Sequence, residues 1–178
     1  AKLTGTAATW GYSTVAQKHL DNREVWYPQG RVLGGGSSIN AQVYTRGHPL
    51  DYDEWANEEG CEGWSFKDVL PYFVKAENNN RLCNQYHGVD GPLKVSDPVP
   101  HKLTSTFVQA AQQAGFPYSS DFNGDNQAGF GYYQVTNRDG KRSSAAVVYL
   151  KPVLGRDNLT VITKATVTKV IVERGRAV

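Results

Sequence analysis

Residues 34–40 read Gly-Gly-Gly-Ser-Ser-Ile-Asn, a run whose chemistry is that of backbone amides, two hydroxyls and one carboxamide. Three adjacent glycines cost backbone entropy on folding. That cost is met where the chain takes φ > 0 or approaches another group closely. Beside Ser37, Ser38 and Asn40, such a group is a phosphate, a cofactor ring or another stretch of backbone. A flexible linker is the competing reading. Against it, Val32, Leu33, Ile39 and Val43 flank the run, and their apolar character predicts burial. The run is not a P-loop, since no Gly-Lys-Ser/Thr follows. Nor is it the dinucleotide fingerprint G-x-G-x-x-G, set between a strand and a helix. Gly34 and Gly36 match only its first part, and position 39 is isoleucine.

Other groups that do chemistry elsewhere have plainer readings here. A general base must reach the substrate hydroxyl by a hydrogen bond, and none of His19, His48, His87 and His101 stands in such a setting. His48 reads as a loop residue, and His87 and His101 as solvated residues of polar loops. Asp51, Asp53 and Glu54 resemble paired carboxylates, but on a short helix they read as partners of its N-terminal dipole. Arg142-Ser143-Ser144 opens a predicted helix. It is either an anion site or a cap beside a surface arginine. Lys169, among apolar strand residues, reads as a solvent face. Cys61 and Cys83 lack metal-ligand spacing, so no metal is expected. Free, mostly buried thiols are favoured over one disulfide.

These groups need elements to hold them. The chain of 178 residues suffices for one domain or most of one, and 19 Lys and Arg against 17 Asp and Glu leave no basic block for nucleic acid. No apolar run approaches the roughly 20 residues of a membrane span. No signal peptide is visible, although a processed precursor would look the same; the cytoplasm is favoured and the location otherwise open. Residues 1–29 read as irregular, with a helical turn around 14–20, and 27–30 as a turn. Residues 43–45 are extended, and 51–59 form a short helix with Asp51 as cap and Gly60 as stop. Ser65 opens a second helix through a capping box with Asp68. Its apolar face is Phe66, Val69, Leu70, Phe73 and Val74, and Pro71 is expected to kink or split it. Residues 78–91 read as a polar loop and 92–95 as an edge strand. Leu103, Phe107, Ala110, Ala111 and Ala114 form an apolar helical stripe closed by Gly115, followed by a turn at 121–124. Residues 130–136 read as a strand, 143–150 as a helix ended by Pro152, and 159–163 and 166–172 as strands. Residues 173–176 read as a hairpin turn. The start at Ala1, the lack of methionine and the strand begun at Ala177-Val178 predict an internal fragment of a longer protein.

As a whole, the pattern resembles the first signature of the glucose–methanol–choline (GMC) oxidoreductase family, flavoenzymes that oxidise alcohols. Gly30-Arg31, Leu33, Gly34-Gly35, Gly36-Ser37, Ile39, Asn40, Tyr44, Gly47 and Asp53 stand where that signature asks for them. The resemblance continues through Arg46-Gly47 followed by Asp51-Tyr52-Asp53-Glu54-Trp55, Gly63-Trp64-Ser65, Leu70-Pro71-Tyr72-Phe73 and His87-Gly88 with Gly91-Pro92-Leu93. Asp121-Phe122-Asn123-Gly124, Arg142-Ser143-Ser144-Ala145 with Tyr149-Leu150, and Arg156 with Asn158-Leu159 complete it.

The resemblance implies an α+β fold, a partial FAD-binding domain with an irregular N-terminal part, short helices and a few strands. Within it, 1–60 would cover the cofactor, 61–128 form a helical and loop segment, and 129–178 supply strands joining the FAD and substrate domains. Carried over by position, Val32, Gly36, Asn40, Ala41, Gln42 and Val43 would face FAD, and the Val167 backbone its adenine. Some relatives attach the flavin through a histidine before the asparagine. Ile39 stands there, which implies non-covalent FAD, and Gln42 replaces a methionine common among relatives. The family's G-x-G-x-x-G unit and its C-terminal catalytic histidine are not in this chain, so the catalytic residue is expected outside it. The implied reaction is oxidation of an alcohol CH–OH to an aldehyde or ketone by hydride transfer to flavin. A hydroxynitrile lyase of the same family, or a non-catalytic fragment without flavin, is the alternative. The implied partners are a small-molecule alcohol and the rest of the parent polypeptide. Residues 34–42 look closer to bacterial sugar-alcohol or sorbose-type dehydrogenases than to the choline or fungal glucose branches, and oxidase and dehydrogenase are not separated.

Overall fold

The computed structural model describes residues 6–178. The N-terminal arm is a long hairpin. Strand β1 (Thr9–Trp10) pairs antiparallel with β2 (Gln29–Gly30), and the bridges Ser13–Trp26 and Gln17–Arg23 extend it. A single 3-10 turn, Lys18–Leu20, closes the loop with Asp21 and Asn22 at φ 54° and 56°. The expected helical turn therefore shrinks to its last residues, and the expected turn at 27–30 is partly strand, because Gly30 has Thr9 as ladder partner.

Helix α1 (Pro49–Asn57) begins two residues before the expected start. Its cap is His48, whose Nδ1 accepts the Leu50 N–H, while Asp51 takes the His48 N–H in a reciprocal box. Asp51 is thus the third helical residue, where a carboxylate still faces the positive end of the dipole. The Asp53 carboxylate accepts the Phe66 N–H at 2.9 Å and ties α1 to the start of the next helix. Helix α2 (Phe66–Ala76) has the expected Ser65–Asp68 capping box and runs unbroken through Pro71. The expected split does not occur.

Directly after α2, strand β3 (Glu77–Asn79) pairs in parallel with β4 (Leu93–Val95), so the expected polar loop begins as a strand. Helix α3 (Lys102–Gln113) is capped by His101. It buries Val108 and Ala111, whereas Leu103 and Phe107 of the expected stripe stand 72% and 62% exposed. Phe107 instead joins Phe116 and Phe130 in a surface aromatic cluster.

The segment 130–136 is a spine rather than a strand. Phe130 bridges Tyr118, and Val135 bridges both Val43 and Ser96, which links the glycine run to β4. It leads into β5 (Asn137–Arg138) and β6 (Lys141–Arg142), joined by Asp139-Gly140 at φ 54° and 70°. Two positive φ values fit a type I′ hairpin. The helix expected over 143–150 is a short π-helical stretch, Ala146–Leu150, and Pro152 lies within the 3-10 turn Lys151–Val153 that follows instead of ending it.

Of the strands expected at 159–163 and 166–172, only the last residue, Val172, finds a ladder partner among the described residues. Only β7 (Val172–Glu173) and β8 (Arg176–Ala177) pair, around the anticipated Arg174-Gly175 turn at φ 50° and 77°. The centre holds few apolar residues: Val95, Val108, Ala111 and Phe122, the last stacked on Tyr133 at 4.5 Å. Beside them lies a polar cluster.

Candidate functional site

The glycine run is shaped by its own backbone. Gly34 and Gly35 take φ 87° and 53°, values open to glycine at little cost, and a 3-10 turn, Gly35–Ser38, follows. Ser37 Oγ donates to the Gly34 carbonyl and Ser38 Oγ to that of Leu33. A Cβ on Gly30 would run into the Gly35 carbonyl, so β2 and the turn pack backbone to backbone. Gln42, at φ 68°, is a non-glycine residue in the left-handed region and needs its surroundings to hold it there. Its N–H donates to Asn40 Oδ1, and its carbonyl accepts the Thr136 N–H at 2.8 Å. Its side-chain amide donates to the Thr136 carbonyl.

Around this turn most of the contiguous site residues reach solvent. Gly36, Asn40 and Ala41 are exposed, as are Val32 (41%) and Val43 (49%), and Gln42 is half-buried. The expectation that apolar neighbours bury the run fails within this chain, since Val32, Leu33 and Val43 all reach solvent. Val167 stands 78% exposed in an unpaired segment, and no hydrogen bond among the described residues ties it to the run. From 32 to 43 no side chain titrates, so the face offers backbone, hydroxyl and amide groups but no proton acceptor for base catalysis.

A clasp holds the run in place. Arg142 Nη1 donates to the Ser37 carbonyl at 3.1 Å and to Asn40 Oδ1 at 2.7 Å, and the Ala145 N–H donates to Ser37 Oγ at 2.8 Å. Ser143 and Ser144 are buried. Beside the two readings left open for this motif, the structure adds a contact neither included: Nη1 of Arg142 is engaged by the glycine run.

The cluster that sequence reasoning missed lies where the run ends. Arg46 is buried, with Nη2 on Glu77 Oε2 at 2.9 Å and Nη1 on the Tyr86 carbonyl. Its guanidinium lies over Phe73 at 5.2 Å and Tyr44 at 5.7 Å. Glu77, fully buried, also accepts from Asn79 Nδ2, the Gly88 N–H and His87 Nδ1. His87 is 2% exposed, with its other nitrogen 3.0 Å from Asp121 Oδ2. Polar loop neighbours hid this histidine from the sequence reading. With a carboxylate on each ring nitrogen both positions carry protons, and two cations face two carboxylates. Burial alone lowers the His87 pKa, but the hydrogen bonds and charges of Asp121 and Glu77 outweigh it and lift the value from 6.5 to about 9. Burial raises Asp121, yet His87, the Asn123 N–H and Arg46 hold its carboxyl below the usual range. Burial raises the Tyr44 phenol against the opposing pull of Arg46.

The remaining histidines are also accounted for. His48 and His101 cap helices through Nδ1, and His19 is exposed. Cys61 and Cys83 are free thiols, as expected, but exposed rather than buried.

Comparison with known proteins now adds to this geometry. The family model described as GMC oxidoreductase matches residues 3–178. Mitochondrial choline dehydrogenase of Mus musculus is 48% identical over 170 residues, 95% of this chain and 28% of that protein. The alcohol dehydrogenase (acceptor) of Pseudomonas putida is 45% identical over 171 residues, 95% of this chain and 31% of its own. The crystal structure of pyridoxine 4-oxidase from Mesorbium loti superposes with a TM-score of 0.90 at 32% identity, over 99% of this chain and 35% of that one. This chain thus spans about a third or less of the length of the relatives it matches.

Proposed function

Since the chain belongs to the GMC oxidoreductase family, we propose that it forms the cofactor-covering part of an FAD-dependent enzyme that oxidises an alcohol CH–OH to an aldehyde or ketone. The observation that carries this reading is the exposed face at 36–43. It is rich in backbone and small polar groups, lacks any titratable group, and is pinned by Arg142 and Thr136. A Cβ added at Gly36 would meet nothing within 4 Å in this chain, so that side is open to a flat or phosphate-bearing group. The residues present therefore fit FAD.

Val32, Gly36, Asn40, Ala41, Gln42 and Val43 would hold the cofactor, with the Val167 backbone at its adenine and no covalent link at Ile39. When bound, FAD supplies the acceptor for the hydride that leaves the carbinol carbon. This chain orients the group and excludes water from one side of it. The proton of the hydroxyl needs a base, which 32–43 does not contain. We assign that role to a histidine elsewhere in the full-length enzyme. The segment boundaries 1–60, 61–128 and 129–178 belong to the same proposal: cover, helical support, and strands joining the two domains.

Choline dehydrogenases and an alcohol dehydrogenase among the relatives favour choline or another small alcohol over the sugar alcohols suggested by residues 34–42. The test is to mix the full-length protein with choline, a simple primary alcohol and sorbitol without oxygen, and to follow the flavin spectrum. Bleaching by an alcohol supports the proposal. Bound flavin that no alcohol bleaches, together with cyanohydrin cleavage, overturns it in favour of a lyase.

A further inference from the structure

We propose that Arg142 is a positioning residue for the cofactor-facing run, acting through Asn40. The inference rests on the cofactor reading of that face. The guanidinium arrives from hairpin β5–β6, 102 residues from Asn40 in sequence, and one nitrogen serves two acceptors, the Ser37 carbonyl and Asn40 Oδ1. The same Asn40 oxygen accepts the N–H of Gln42, whose backbone sits at φ 68°. A single carboxamide oxygen therefore joins a fixed cation to the strained residue that turns the run toward Val43.

The hairpin can hold this position. Its strands pair in register, Asn137 with Arg142 and Arg138 with Lys141. Arg138 anchors it to the Asn78 and Val95 carbonyls, and the Ser143 N–H donates to the Thr136 carbonyl at 2.9 Å. Thr136 in turn binds the Gln42 carbonyl, so both ends of the Gln42 peptide trace back to one hairpin.

Position and stability separate at this site. Asn40 is exposed and Ser37 only half-buried, so removal of the guanidinium leaves acceptors that water can satisfy, and the penalty of a buried unpaired group is not incurred. What is lost is a charge-assisted hydrogen bond and, with it, the single conformation of the face.

The test titrates the full-length apoenzyme with FAD, following flavin fluorescence and the visible circular dichroism of the bound flavin. R142M is expected to weaken FAD binding about tenfold or more and to change the dichroism, with an apoenzyme melting temperature close to wild type. R142K is expected to recover part of the loss. N40A is expected to weaken binding similarly, and R142M/N40A to be no weaker than the weaker single variant, since both act on one contact. Wild-type affinity and dichroism in R142M, or strictly additive losses in the double variant, overturn the inference. Should R142M fail to fold, R142K and R142K/N40A carry the same coupling test. A wild-type protein that takes up no FAD overturns the cofactor reading itself, and this inference with it.

Discussion

At the scale of single residues, His87 carries the sharpest consequence. Its folded pKa of about 9 stands above the ordinary 6.5, so protonation and folding favour one another. The resulting stability is fully present below pH 6.5 and is lost as pH rises through about 9. Asp121 works in the other direction: its lowered pKa contributes stability above the ordinary carboxylate range that disappears as pH falls through the folded value. Between pH 6.5 and 9 the His87 shift corresponds to roughly 3 kcal/mol. Thermal melts of the full-length protein should therefore fall across that window, and H87Q, which keeps hydrogen bonding but not the charge, should start lower and flatten the slope. An H87Q melt with the wild-type pH slope would refute the assignment. Sequence alone did not disclose this cluster, because His87 finds Glu77 ten residues away and Asp121 thirty-four residues away. A histidine between Tyr86 and Gly88 carries no periodic signal. The lower-lying clue was Arg46, which the family resemblance marked without giving it a partner.

Elements were legible where their signals are local. The Ser65–Asp68 box, the Arg174-Gly175 turn and the apolar face of α2 need only neighbours within a turn or two. S65A should accordingly cost about 1 kcal/mol in urea unfolding of the full-length enzyme, and an unchanged midpoint would remove the cap from the account. Cap residues were misjudged where histidine took the place of the usual oxygen, at His48 and His101. The glycine run separates two roles that composition merges. A Cβ at Gly30 meets the Gly35 backbone, whereas one at Gly36 meets nothing. G30A should thus destabilise by roughly 2 kcal/mol and disturb the turn. G36A should leave the melting temperature within a degree or two of wild type, or slightly above it through lost unfolded-state entropy, while weakening FAD uptake. Equal FAD affinity in G36A and wild type would show that this face does not meet the cofactor.

At the scale of the molecule, the chain exposes 13355 Å², where a self-contained protein of 19.6 kDa exposes about 8,600 Å². The excess is apolar in large part: Val15, Val99, Leu103, Tyr72, Ile162 and Val167 are each more than two-thirds exposed. Of the strand-like sequence at 159–172, only Val172 finds a ladder partner among the described residues, and α3 leaves Leu103 and Phe107 exposed. Helical periodicity marked Leu103 and Phe107 as core, and on the proposal that this chain is part of a longer enzyme, their cover would come from the remainder, since the chain spans about 30% of a relative it matches. Hydrophobic burial is the main favourable term in folding, and a chain that leaves this much of it unrealised is expected to fall below the marginal stability of ordinary domains. The isolated 178 residues should therefore bind a hydrophobic dye such as ANS strongly, melt over a broad range without a cooperative step, and retain no FAD after gel filtration. The full-length protein, at the same concentration, should show a cooperative melt and co-elute with flavin. A sharp, dye-free, monomeric transition for the isolated chain would mean that its own polar cluster around Glu77 and His87 suffices to hold the fold.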